Sequence, residues 1–156
     1  MRLFLIRHAH AGERLSENRD IYRPLSKRGH ARAAELARLL RHEGIDCILS
    51  SPASRCVQTM RPLAAQLGLE IIEQPDLWER SPIPHVLALF DQHRNHRAVA
   101  VCSHGDVIPD TLDALGATGT AITGRGCEKG SVWVLHHDGD RWAAAEYLDD
   151  GLTTGD

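Results

Sequence analysis

Four apolar residues in a row, Leu3-Phe4-Leu5-Ile6, are followed at once by Arg7 and His8. An apolar run this short, with no polar alternation, is a strand covered on both faces, the kind a parallel sheet places at its centre. In open α/β sheets ligands sit beyond the carboxyl ends of the strands, so the run delivers a guanidinium and an imidazole to that edge. Taken alone, Arg7 and His8 read equally well as two solvated residues closing a strand.

The pattern returns later in the chain. Ala98 to Cys102 is a second fully apolar run, and Ser103-His104-Gly105-Asp106 follows it as a turn into a helix carrying Ile108, Leu112 and Leu115. Between the two runs, strand and helix alternate. Residues 9–25 form a polar loop, longer than most connections and therefore a candidate functional segment. Ser26 caps a helix with Ala33, Leu36, Ala37 and Leu40 at helical spacing, ending at Gly44. Asp46 to Ser50 is the next strand, broken by Ser51-Pro52. A second helix follows from Ala53, with Cys56, Met60, Leu63, Ala64 and Leu67 on one face and Arg55 in its first turn. Leu69 to Ile72 reads as a third strand, and Val86, Leu89 and Phe90 mark another helix. Residues 116–130 read as a glycine-rich loop, and Val132–His136 and Trp142–Leu148 flank Asp138-Gly139-Asp140 as a closing hairpin. This order predicts a three-layer α/β sandwich: a mostly parallel central sheet flanked by helices, with a C-terminal antiparallel hairpin. One domain is expected over 1–150, with 151–156 a frayed tail.

A net charge of −3 gives no basic face for nucleic acid or an anionic membrane, so arginines near an anion site must act locally. Cys47, Cys56, Cys102 and Cys127 lack the spacing of a zinc ribbon or a dithiol redox motif, and three of them fall in apolar patterns. Buried thiols in a reducing cytoplasm are the expectation. Leu3–Ile6 is too short for a signal-peptide core, and no run approaches a membrane span.

Two arginines and two histidines at one crevice suit a dianionic phosphoryl group. The planar guanidinium matches phosphate oxygens two at a time, and a neutral imidazole can attack phosphorus. Four ordered pieces carry a resemblance: Leu5-Ile6-Arg7-His8, Arg23-Pro24-Leu25-Ser26-Lys27-Arg28-Gly29, Ser51-Pro52-Ala53-Ser54-Arg55-Cys56-Val57-Gln58-Thr59 and Ser103-His104-Gly105. The chain resembles the histidine phosphatase superfamily, which includes cofactor-dependent phosphoglycerate mutase, and within it the small phosphohistidine phosphatases of the SixA type. The resemblance implies that His8 becomes phosphorylated while Arg7, Arg55 and His104 hold the phosphoryl oxygens, without a metal or other cofactor. Glu79 stands where larger members carry the acid that protonates the leaving oxygen, a residue the SixA type lacks. Glu79 can equally be a surface ion-pair partner of its neighbours. Ala9 replaces a glycine of the larger members, with small size retained.

His10 invites a metal reading with His8, but no third ligand stands nearby, and a solvated loop position is expected. Asp106 is expected to cap the fourth helix rather than face the pocket. His30, His42, His85, His93, His96, His136 and His137 are expected to be structural or exposed. The implied activity is a metal-independent phosphatase, and the SixA resemblance favours phosphohistidine on a partner protein as the leading substrate. The alternative is a small phosphomonoester or nucleotide with Glu79 as acid, supported by similarity to the phosphatase domains that follow Nudix domains in some actinobacterial proteins. A phosphate carrier or a binding module without turnover is the reading outside hydrolysis. Nothing in the sequence sets an oligomeric state.

Overall fold

The computed structural model describes residues 1–149; the tail expected to fray, 151–156, lies outside them. Seven strands form one sheet: β1 (Arg2–Arg7), β2 (Cys47–Ser50), β3 (Ile71–Glu73), β4 (Ala98–Ser103), β5 (Ala121–Thr123), β6 (Val132–His137) and β7 (Trp142–Leu148). Four helices accompany them: α1 (Lys27–Leu40), α2 (Ser54–Leu67), α3 (Ile83–Gln92) and α4 (Val107–Ala117). The strand order is β3-β2-β4-β1-β6-β7-β5. β1 to β4 run parallel, and β6 enters antiparallel between β1 and β7.

The period-2 geometry of the strands explains why the central runs are apolar throughout. Leu3, Leu5, Leu49, Val99 and Val101 pack with α3 and α4 on one face. Phe4, Ile6, Ile48, Ala100 and Cys102 pack with α1 and α2 on the other. Neither face of β1 or β4 meets water, so no polar alternation is possible there.

Local signals set the helix ends. The Ser26 Oγ accepts the Gly29 N–H at 3.1 Å, capping α1 as expected. The third strand begins later than Leu69 because the Leu69 N–H still bonds the Ala64 carbonyl, closing the last turn of α2. The region 116–130 is not loop throughout: Ala121–Thr123 forms β5, parallel to the outer side of β7. All three of its residues are exposed, so no apolar pattern announces it. The expected hairpin is present as β6 and β7, with an irregularity at His136/His137.

Register brings the functional strand ends together. Arg7 pairs with Ser103 across β1 and β4, and the His8 N–H bonds the Ser103 carbonyl at 3.1 Å. Ser50 pairs with Cys102, and the Ser51 N–H bonds the Cys102 carbonyl at 3.0 Å. Three adjacent strands therefore end level, at the edge where parallel sheets hold ligands.

Candidate active site

Arg7, His8, Arg55, Glu79 and His104 meet at this edge, although they come from four separate segments of the chain. His8 is 5% exposed, and its Nδ1 lies 2.8 Å from the Ala9 carbonyl oxygen. A carbonyl only accepts, so Nδ1 carries the ring proton and Nε2 keeps a free lone pair. Burial drives the His8 pKa well below 6.5, and the charges of His104, Arg55 and Arg7 push the same way against the Ala9 carbonyl. The ring is thus held neutral, the form that can act as a nucleophile. The His104 ring stands 5.4 Å away, centroid to centroid.

Arg55 is fully buried in the first turn of α2. It donates to the Asp20 carbonyl at 2.9 Å and lies 3.3 Å from the Asp20 carboxylate. Its Nη2 donates to Glu79 Oε1 at 2.8 Å. The same Glu79 oxygen is 3.7 Å from His104 Nδ1 and 3.1 Å from Arg14 Nη2. One carboxylate oxygen therefore occupies the point on which two guanidiniums and an imidazole converge. Among the described residues, Arg7 Nε and Arg55 Nε are buried without a hydrogen-bond partner. Buried guanidinium donors left unsatisfied fit a site that accepts an anion with several oxygens.

His104 is oriented from behind. Its Nε2 lies 2.8 Å from the Ser51 Oγ, which also accepts the Ala53 N–H at 3.3 Å. Its Nδ1 turns towards the anion position, 3.7 Å from Glu79 Oε1 and 3.5 Å from Arg55 Nη2.

The motif spacing around Arg55 has a local reason. One turn after Arg55 sends its guanidinium into the site, the Thr59 Oγ1 accepts the Ala9 N–H at 3.0 Å and donates to the Arg55 carbonyl at 2.6 Å. Gln58 Oε1 accepts the Leu25 N–H at 2.8 Å. One helix end thus pins both ends of the 9–25 loop. Gly105 is required by close approach: a Cβ there would stand 2.7 Å from the Arg7 guanidinium carbon.

Above the buried floor of Arg55 and His104 opens a cleft of about 570 Å³, lined by Arg7, His8, Arg14, Arg23, Glu79, Arg80, Gly105, Asp106 and Lys129. Five cationic side chains face two acidic ones. Lys129 responds to the crowding: burial, then Arg7, Arg23 and Arg28, lowers its pKa. Arg14, Arg23, Arg80 and Lys129 come from the loops at 9–25, 76–85 and 116–130, and no periodic signal marks them. Asp20 was equally silent in the sequence. It is 3% exposed, and although burial raises its pKa, the Leu15 N–H with Arg55, Arg23 and Arg14 holds it below the usual carboxylate value.

Two expectations are corrected. Asp106 makes no side-chain cap to α4; its Oδ2 instead accepts the Arg80 N–H at 2.7 Å and lines the cleft. Arg80 has a left-handed φ of 62°, and the Asp106 contact fastens that backbone. His10 is not a solvated loop residue: it is half-buried, with Nδ1 2.6 Å from the Ser26 hydroxyl. Of the remaining histidines, His137 is buried and accepts the Gly139 N–H, while His85 and His136 lie beside the carboxylates of Asp76 and Glu146.

Facing imidazoles with converging guanidiniums, set at level strand ends of an α/β/α sandwich, define a protein built to handle phosphoryl groups. Residues 3–82 match the histidine phosphatase superfamily (branch 1), and the chain belongs to that superfamily. It is 31% identical over 154 residues, 94% of its length and 47% of the relative's, to an 8-oxo-(d)GTP phosphatase of Mycolicibacterium smegmatis. The chain spans less than half the length of the curated relatives it matches. Among solved structures, the protein histidine phosphatase SixA complexed with tungstate superposes with a TM-score of 0.76 at 21% identity, covering 95% of this chain and 94% of that one. A mycobacterial glucosyl-3-phosphoglycerate phosphatase does so with a TM-score of 0.67 at 18% identity, covering 96% and 97%. At these identities the two structures share the fold.

Proposed function

We propose that the chain is a metal-independent phosphatase working through a phosphohistidine at His8 Nε2, with a phosphomonoester as substrate and Glu79 as proton donor. The observation that carries the reading is the convergence of Arg55 Nη2 and His104 Nδ1 on one oxygen position beside the neutral His8 ring. A phosphoryl oxygen arriving there takes over the contacts that Glu79 now makes. Arg7, Arg55 and His104 then hold the equatorial oxygens as charge builds on them, the main demand of phosphoryl transfer. His8 Nε2 forms the N–P bond as the P–O bond to the leaving group breaks, and the Glu79 carboxyl gives its proton to the departing oxygen. In the second half, Glu79 takes a proton from water as its oxygen attacks phosphorus. The N–P bond breaks, and phosphate and the free imidazole are released.

A carboxyl at this position matters for an alkoxide leaving group and much less for a phosphoramidate, which favours phosphomonoesters over phosphohistidine. The surplus of cations on the cleft wall suits substrates with further negative charge, such as nucleotides. The long match to an 8-oxo-(d)GTP phosphatase supports the same class. The second reading, phosphohistidine on a partner protein, is favoured by Tyr22, 72% exposed, and Leu15, 41% exposed, which adjoin the cleft residues Arg23 and Arg14 as apolar surface for a protein to cover.

Rapid quenching during turnover of an aryl phosphate is expected to yield an acid-labile, base-stable phosphoryl adduct on His8, absent in His8→Ala. Turnover without such an adduct refutes the mechanism. Glu79→Gln is expected to slow alkyl phosphates and nucleotides far more than an aryl phosphate or a phosphohistidine peptide. Equal losses on all of them remove Glu79 as proton donor, and wild-type preference for the peptide selects the second reading.

A further inference from the structure

At the opposite end of the strands from His8, a second cluster of ligating groups lies outside the cleft. Cys47 opens β2, His93 follows the last turn of α3, and His96 stands in the turn before β4. Their ligand atoms all lie within 4.8 Å of one another. The two imidazoles are stacked, with centroids 5.7 Å apart and planes 12° from parallel. Each ring is turned by a partner on the same nitrogen. His93 Nδ1 lies 3.0 Å from the Leu89 carbonyl, and His96 Nδ1 lies 3.3 Å from Asp46 Oδ1. A carbonyl or carboxylate takes the Nδ1 proton, which leaves Nε2 of both rings with a free lone pair, the arrangement that orients metal-bound histidines.

From this geometry we propose that Cys47, His93 and His96 form a zinc site that ties the end of α3 to the starts of β2 and β4. One thiolate and two imidazoles are a borderline-soft set suited to Zn²⁺, with a fourth position left for water. On binding, the Cys47 S–H proton leaves to solvent as the S–Zn bond forms. The thiolate and the Asp46 carboxylate together balance the ion's charge. Metal on His96 Nε2 fixes the ring proton on Nδ1, which faces Asp46 Oδ1 at 3.3 Å. Sequence spacing hides the site, because Cys47 is far from both histidines along the chain.

The test uses the intact protein with Co²⁺ and Zn²⁺ as probes. One Co²⁺ per chain is expected to bind with a thiolate-to-metal charge-transfer band in the near ultraviolet, and Zn²⁺ is expected to displace it and raise the melting temperature. Cys47→Ser is expected to abolish the band. His93→Ala and His96→Gln are expected to weaken uptake at least about tenfold; the His96 side chain is 38% exposed, so its replacement leaves the fold intact. Turnover of an aryl phosphate is expected to be the same with and without the ion, since the site lies away from the cleft. Absence of the band in the wild type, its survival in Cys47→Ser, or unchanged affinity in His96→Gln overturns the assignment. None of these readouts depends on the phosphatase mechanism.

Discussion

Removing the Ser51 hydroxyl tests how the second imidazole is set. Ser51 is fully buried, and its hydroxyl bonds His104 Nε2 while also accepting the Ala53 N–H. In Ser51→Ala, Nε2 loses a 2.8 Å partner in a site without water access. Leaving a buried ring nitrogen unpaired costs about 1–3 kcal/mol. The ring can recover part of that by turning, and Nδ1, which stands 3.7 Å from Glu79 Oε1, is then no longer fixed at the anion position. Loss of one preorganised contact to the transition state lowers turnover by roughly 10² to 10³. With the ring partly released, kcat on an aryl phosphate is expected to fall between about tenfold and a thousandfold. KM should change much less, because in the proposed mechanism Arg7 and Arg55 hold the ground state and are untouched. Ser51→Thr keeps the hydroxyl and should restore most of kcat. Nitrogen-15 NMR of the imidazoles should find the His104 ring signals displaced in Ser51→Ala and close to wild type in Ser51→Thr. An unchanged kcat in Ser51→Ala, or unchanged His104 signals there, refutes the reasoning.

Three further outcomes are expected. Because the folded His8 pKa lies well below 6.5, its neutral form stabilises the fold fully above about pH 6.5, and that contribution is lost as pH falls through the window beneath; His8→Asn should flatten this part of a stability-against-pH curve, and kcat/KM of the wild type should keep its free-base nucleophile below the ordinary imidazole range. Gly29→Ala places a Cβ 2.0 Å from the His10 carbonyl oxygen, a backbone contact that cannot give way cheaply. A loss of about 3 kcal/mol and a fall in Tm of roughly 6–12 °C are expected by calorimetry, and an unchanged Tm would show that α1 does not press on the 9–10 backbone. Gly105→Ala drives its methyl into the Arg7 guanidinium and should weaken substrate binding roughly tenfold to hundredfold while far-UV circular dichroism stays unchanged.

What the sequence revealed and what it hid follow from the same physics. Arg7, His8 and His104 were legible because each follows a strand with no polar face, and Arg55 because the Ser51-Pro52 break fixes where its helix starts. The residues behind them were not. Ser51 acts through His104 across two strand ends, and Asp20 is buried by loop residues whose spacing has no period. Asp106 sits at a capping position in the chain, yet its carboxylate serves the Arg80 backbone, a tertiary contact that local preference does not encode. β5 escaped because an exposed edge strand needs no apolar residues. The fold is therefore readable from burial patterns, whereas the cleft wall is set by loops that only the packed sheet brings together.

Both rims of the sheet end in strands of three residues, β3 on one side and β5 on the other. Each offers a neighbouring molecule too few free backbone groups to nucleate a continuous ladder. The long, sticky strands β1 and β4 lie sealed in the middle, flanked by hydrogen-bonded neighbours on either side. Placing the greasiest segments centrally and the briefest ones outermost lets the protein build its cleft-lining edge on rigid strands without courting fibril growth.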